Sequence, residues 1–164
     1  MSERILIIGS PGSGKSTLAR VLSARTGLPL VHLDQFYWSP DWVERDKGEW
    51  LAALGEALAG PRWIIEGNYG SSLPQRLAVA DCVVLLDLPT LLCVWRVVKR
   101  VWEHRGRTRP DMAPGCPERL EWGFFWYTLT FRHAVLPRTR AKLADFEGKV
   151  TVLRSRRDVA AFLG

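Results

Sequence analysis

Nine consecutive residues, Gly9-Ser10-Pro11-Gly12-Ser13-Gly14-Lys15-Ser16-Thr17, bring three glycines, an ammonium group and several hydroxyls together. The spacing fits G-x-x-x-x-G-K-[ST], the pattern of a phosphate-binding loop. Gly12 and Gly14 permit backbone angles that a side chain forbids, so amide N–H groups can close around phosphate oxygens. Lys15 is placed to reach β- and γ-phosphates, the Ser16 hydroxyl to ligate Mg²⁺, and Thr17 to support it. The candidate nucleotide-binding set is Gly9, Pro11, Gly12, Ser13, Gly14, Lys15, Ser16 and Thr17.

The motif needs a strand before it and a helix after it. Arg4-Ile5-Leu6-Ile7-Ile8 is short, apolar and β-branched, as a buried strand is, and Leu18, Val21 and Leu22 recur at helical spacing. The helix is expected from Lys15 to about Arg25, stopped by Gly27. Further strands are expected at 30–33, 62–65, 80–87 and 149–153, with helices at 47–58, 73–79, 91 onward, 118–133, 141–146 and 158–163. In an open parallel α/β sheet, ligands bind at the carboxyl ends of the strands. Asp34, Glu66 and Asp87 each fall at such an end. Asp34 is a candidate for orienting or deprotonating an acceptor. Glu66, with Asn68 and Tyr69, offers a substrate loop. Asp87 has the position of a Walker B carboxylate that holds Mg²⁺ with Ser16. Phe36, Tyr37, Trp38 and Trp42 either wall a ring-binding pocket or pack the following helix, and region 34–60 is the acceptor side.

Segment 104–117 is rich in Gly, Pro and Arg, the composition of a loop that closes over phosphates. With 164 residues, 47% apolar and 24% charged, the chain reads as one domain, 1–164. No apolar run approaches the length of a membrane span, and no secretory leader is evident. Cys82, Cys93 and Cys116 lack metal or disulfide spacing, so a cytoplasmic location is expected. His32, His104 and His133 are scattered, and nothing points to a histidine metal site. Residues 1–95 carry 8 Lys+Arg against 10 Asp+Glu, whereas 96–164 carry 15 against 7. That basic half suits either polyphosphate or nucleic acid.

The segments GSPGSGKST (9–17), LDQFYWSPDW (33–42), WIIEGNYG (63–70), ADCVVLLDLP (80–89) and VWRVVKR (94–100) resemble the P-loop kinases related to adenylate kinase. More narrowly, they are similar to the bacterial DNA topology modulation (FlaR-like) proteins. The resemblance implies an α/β P-loop NTPase fold with a five-stranded parallel sheet in the order 2-3-1-4-5, flanked by helices, and an arginine-rich lid. It implies that Arg100, Arg105, Arg107 and Arg109 contact the transferring phosphates, and that Arg154 and Arg156 lie near adenine. Two departures stand out. Glu66 replaces an Asp, and EGNYG occupies the place of D-G-[FY]-P-R, so the acceptor arginines of that loop are lacking.

The leading expectation is an ATP- and Mg²⁺-dependent phosphotransferase acting on a small-molecule acceptor, a nucleoside, nucleotide or other alcohol. A second is an ATP-responsive regulator that binds nucleic acid through the basic half. A third is a slow ATPase that associates with other proteins through the aromatic stretch 118–131. The sequence leaves the acceptor and the oligomeric state open.

Overall fold

The structure, a computed structural model, describes residues 3–164. β1 (Arg4–Gly9) runs into the glycine-rich loop and α1 (Lys15–Thr26). β2 (Leu30–His32) and α2 (Leu33–Tyr37) follow, then a small ribbon of β3 (Trp38–Ser39) and β4 (Val43–Glu44) around a 3₁₀ turn at Pro40–Trp42. The chain continues through α3 (Lys47–Ala59), β5 (Trp63–Glu66), α4 (Leu73–Leu77), β6 (Cys82–Leu86), α5 (Thr90–His104), α6 (Trp122–Ala134), α7 (Leu136–Leu143), β7 (Lys149–Leu153) and α8 (Arg156–Leu163).

The main sheet is parallel, in the order β2-β5-β1-β6-β7. Counting only its five strands along the chain, that is the expected 2-3-1-4-5. Alternating side chains feed two cores, one on each face. Leu6, Ile8, Ile65, Val83 and Leu85 join Leu33, Trp50, Leu54 and Phe131 on one side. Ile7, Ile64, Val84 and Leu86 join Leu18 and Ala19 of α1 on the other. Burial on both faces explains why these strands read as continuous apolar runs.

Several element boundaries differ from expectation. β2 ends at His32, and Leu33, fully buried, opens α2, so Asp34 lies in the first turn of a short helix rather than in a loop. Pro137 occupies the first turn of α7, where its missing N–H costs nothing. α6 starts at Trp122; it buries Thr128 and Phe131 and leaves Trp122 and Trp126 exposed. α8 begins at Arg156 because Ser155 and Asp158 form a reciprocal capping box. The arginine-rich segment packs against the ribbon of β3 and β4. Met112, Ala113 and Cys116 form a small core with Trp38 and Trp42, and the Asp41 amide donates to Gly115 O at 2.9 Å.

Candidate phosphate-transfer site

β1 delivers the loop with its glycines in conformations a side chain cannot share. Gly12 has φ +71°, and a Cβ there would meet the Cys93 carbonyl oxygen of α5 at 2.3 Å. Gly9 has φ +145° and is pressed equally close to Leu86 O. The loop therefore nests against α5 and the end of β6. Its outer carbonyls are held by Arg96, whose Nη1 donates to Ser13 O at 3.2 Å, and the Gly9 amide donates to Asn68 Oδ1 at 3.1 Å. Lys15 Nζ donates to Ser10 O at 3.0 Å.

The loop forms one wall of a cavity of about 970 Å³ that also takes in Asp34, Trp38, Trp42, Glu66, Arg100, Arg109 and Tyr127. Glu66 stands at the end of β5, in register with Ile7 of β1 and His32 of β2. Its Oε1 accepts from Ser16 Oγ at 3.0 Å and faces His32 Nδ1 at 2.8 Å. Asp34 Oδ1 accepts from Tyr69 Oη at 2.5 Å. Burial pushes the Asp34 carboxyl above its ordinary range; the Glu66 charge adds to this, while the Tyr69 hydrogen bond, Lys15 and Arg109 work against it. Burial lowers Lys15, which the charges of Glu66 and Asp34 partly restore.

The segment after α5 supplies a charged cluster. Arg109 Nη1 donates to Asp111 Oδ2 at 2.7 Å. Arg100 Nε and Arg109 Nε approach the same oxygen, Glu118 Oε1, at 2.7 and 2.8 Å, but off the angles of a hydrogen bond. These are ion pairs without directional bonding. Burial alone would raise Asp111; Arg109 and the Ser16 hydroxyl outweigh it, so this carboxyl titrates below its ordinary range.

Magnesium binds through oxygen and keeps several waters, sharing the ion with phosphate rather than sitting in a protein cage. Ser16 Oγ, bonded to Glu66 and within reach of Asp111, fits that preference. Among the described residues no group of three His, Cys, Asp or Glu side chains forms a closed metal site.

The structure gathers Pro11, Gly12, Ser13, Gly14, Lys15, Ser16, Thr17, Asp34, Trp38, Glu66, Asn68, Tyr69, Arg100, Arg109 and Arg156 around this cavity. Other candidates lie elsewhere. Asp87 is buried with each oxygen on an arginine, Arg140 Nη2 at 2.7 Å and Arg132 Nε at 3.3 Å, and does not line the cavity. Its carboxylate ties α6 and α7 to the end of β6, and the carboxylate bonded to Ser16 Oγ is that of Glu66. Arg105 and Arg107 are exposed and do not line the cavity. Arg154 is exposed too, and its amide serves the α8 cap. Phe36 packs on the core behind Asp34.

Sequence reasoning missed His32, Asp111, Glu118, Arg119 and Arg76. Arg76 is fully buried and donates to the carbonyls of Gly67, Asn68 and Tyr69, fixing the loop that carries Tyr69. Burial lowers its guanidinium to about 10. Arg96 was visible only as a helix residue, although its i, i+4 spacing to Arg100 places both on the face turned to the loop.

No family model matches the chain. A protein of Thermococcus onnurineus (strain NA1) provisionally named adenylate kinase is 25% identical over 123 residues, 71% of this chain and 63% of that protein. The uncharacterized protein YqaC of Bacillus subtilis (strain 168) is 32% identical over 113 residues, 65% of this chain and 61% of its own length. The chain thus spans a little over three fifths of the curated relatives it matches. Among solved structures, the shikimate kinase of Bacteroides thetaiotaomicron superposes with a TM-score of 0.61 at 15% identity, covering 99% of this chain and 95% of that one. Sheet order, loop position and this superposition agree: the chain has the α/β fold of the P-loop kinases.

Proposed function

We propose that the chain is an ATP-dependent phosphotransferase that moves the γ-phosphoryl group onto a hydroxyl of a small molecule. One observation carries this: Asp34, a partly buried carboxylate held by Tyr69, shares a cavity with Lys15 and Ser16 and is coupled electrostatically to Lys15 and Glu66. A nucleotide-binding switch would not need a shielded carboxylate there; group transfer to an alcohol does.

The loop amides and Lys15 hold the β- and γ-phosphates, and Arg96 braces the loop from outside. Mg²⁺, when bound, would neutralise charge on the β- and γ-phosphates. Ser16 and Glu66 are the residues that would hold it, and His32 fixes the orientation of Glu66. Asp34 accepts the acceptor's hydroxyl proton as the new O–P bond forms and the bond to the ADP oxygen breaks; the proton then passes to solvent. A carboxylate raised by burial is the better base for this step. Arg100 is placed to turn from Glu118 to the transferring group, where charge develops. Arg156 and the inner face of α8 border the nucleotide side.

Five of the fifteen basic residues of 96–164, Arg96, Arg100, Arg109, Arg119 and Arg156, border the cavity, where a polyphosphate would be held. The test is ADP release from Mg·ATP against nucleosides, monophosphates, sugars and small alcohols, with Lys15→Ala as the blank. One acceptor that raises turnover well above the background hydrolysis supports a kinase. A flat response with tight ATP binding refutes it.

A further inference from the structure

On the acceptor side of the cavity carboxylates outnumber guanidinium groups, and this bears on what it accepts. The inference rests on the phosphotransferase reading above. Asp34, Glu66, Asp111, Glu118 and Glu121 stand there with three arginines, Arg100, Arg109 and Arg119, while Lys15 belongs to the phosphate loop. Arg109 is consumed by Asp111 and Glu118, the latter also shared with Arg100. Arg119 is exposed at the rim, its guanidinium 5.8 Å from the centre of the Trp42 ring.

Arg76 follows the 66–70 loop in the chain and lies beneath it, its Nη1 and Nη2 donating to the carbonyls of Gly67, Asn68 and Tyr69, and it does not line the cavity. Five aromatic side chains line the cavity with the charged groups: Trp38, Trp42, Tyr69, Phe124 and Tyr127. Trp42 is fixed by its indole N–H donating to Pro117 O at 3.0 Å, and Trp38 meets it edge-on with centroids 5.6 Å apart.

An anionic acceptor placed here would face five carboxylates, with Arg100 and Arg109 already paired and Arg119 at the exposed rim, and burying a charge without a partner is costly. Aromatic walls with a hydroxyl-binding carboxylate suit the apolar face of a ring that carries hydroxyl groups. From this juxtaposition we infer that the acceptor is an uncharged, ring-bearing alcohol, of the class of sugars and nucleosides, and that its phosphorylated or carboxylate counterparts are excluded.

The experiment uses matched pairs: adenosine with AMP, thymidine with its monophosphate, and glucose with gluconate. Each compound is titrated calorimetrically into the protein saturated with Mg·ADP, so that the donor half is filled. The expected result is binding of at least one uncharged member, with its anionic partner weaker by at least about a hundredfold. The inference is overturned if an anionic member binds as tightly as its partner or tighter, or if no uncharged member binds at all. Turnover of Mg·ATP with Lys15→Ala as blank is read separately. Phosphorylation of an anionic acceptor would leave the kinase reading standing and refute only the acceptor class.

Discussion

Replacing Glu66 by Gln removes one negative charge from the centre of the site while keeping its shape. Both contacts of Glu66, Ser16 Oγ at 3.0 Å and His32 Nδ1 at 2.8 Å, are made to the same oxygen. An amide oxygen accepts from both groups when they donate, so the fold is retained and Tm moves by only a few degrees. The electrical consequences have definite signs. The Glu66 charge raises Lys15, so Lys15 falls further below its ordinary value in the variant. It also raises Asp34, so Asp34 drops back toward its ordinary value. Turnover requires Asp34 ionised and Lys15 protonated, so both limbs of the pH–rate profile move to lower pH. Ser16 and Asp111 remain as oxygen donors for Mg²⁺, which limits the loss of metal affinity to about 10–100-fold. The assay is ADP release at fixed ATP, titrated with Mg²⁺ across the pH range, beside a thermal melt. Unchanged Mg²⁺ half-saturation with both limbs unmoved would refute the assignment of Glu66 to the metal.

Three further substitutions separate structural from chemical roles. Asp87→Asn is expected to destabilise the protein by about 1–3 kcal/mol in denaturant unfolding, since Arg132 and Arg140 lose their buried partner but are themselves half-exposed; the Mg²⁺ requirement stays within about twofold, and a larger shift would return Asp87 to the metal site. Gly12→Ala forces a Cβ to 2.3 Å from Cys93 O at a φ of +71°, so ATP binding is expected to disappear in calorimetry, with a loss of several degrees in Tm; normal ATP affinity would contradict the nesting of the loop on α5. Asp111 titrates below its ordinary range in the folded protein, so its stabilisation is present above the unfolded carboxyl pKa and lost as pH falls through the folded value. Asp111→Asn should therefore lower stability by about 1–3 kcal/mol near neutrality and by nothing at strongly acid pH; a deficit that persists at acid pH would rule out the ion pair as its cause.

The parts of the site that were legible in the sequence are local. Strand, glycine turn and helix follow one another between Arg4 and Thr26, and the loop is built from backbone geometry that glycine, lysine and serine prescribe in that order between a strand and a helix. The strand order followed from the family resemblance and holds. On sequence alone Asp87 goes to Mg²⁺ and Glu66 to the substrate loop; β5 and β6 both border β1, and a carboxylate ends the one and follows the other. What sets Asp87 apart in the structure is Arg132 and Arg140, about 50 residues further on, which the packing of α6 and α7 brings over it. The arginines between His104 and Pro117 were equally ambiguous. Arg109 turns inward because Asp111 and Glu118 hold it, whereas Arg105 and Arg107, on the same loop, have no carboxylate to draw them in. His32 looked isolated because its partner is cross-strand, set by the parallel register of β2 and β5.

The central claim is that Asp34 takes the acceptor's proton while the loop holds the nucleotide. The most direct measurement compares wild type with Asp34→Asn in two readouts, calorimetric Mg·ATP affinity and ADP release with the best acceptor. ATP affinity within about threefold and turnover reduced by about a hundredfold or more is the predicted result. Turnover undiminished at equal ATP affinity would contradict it, and would leave the cavity as a nucleotide site with no base.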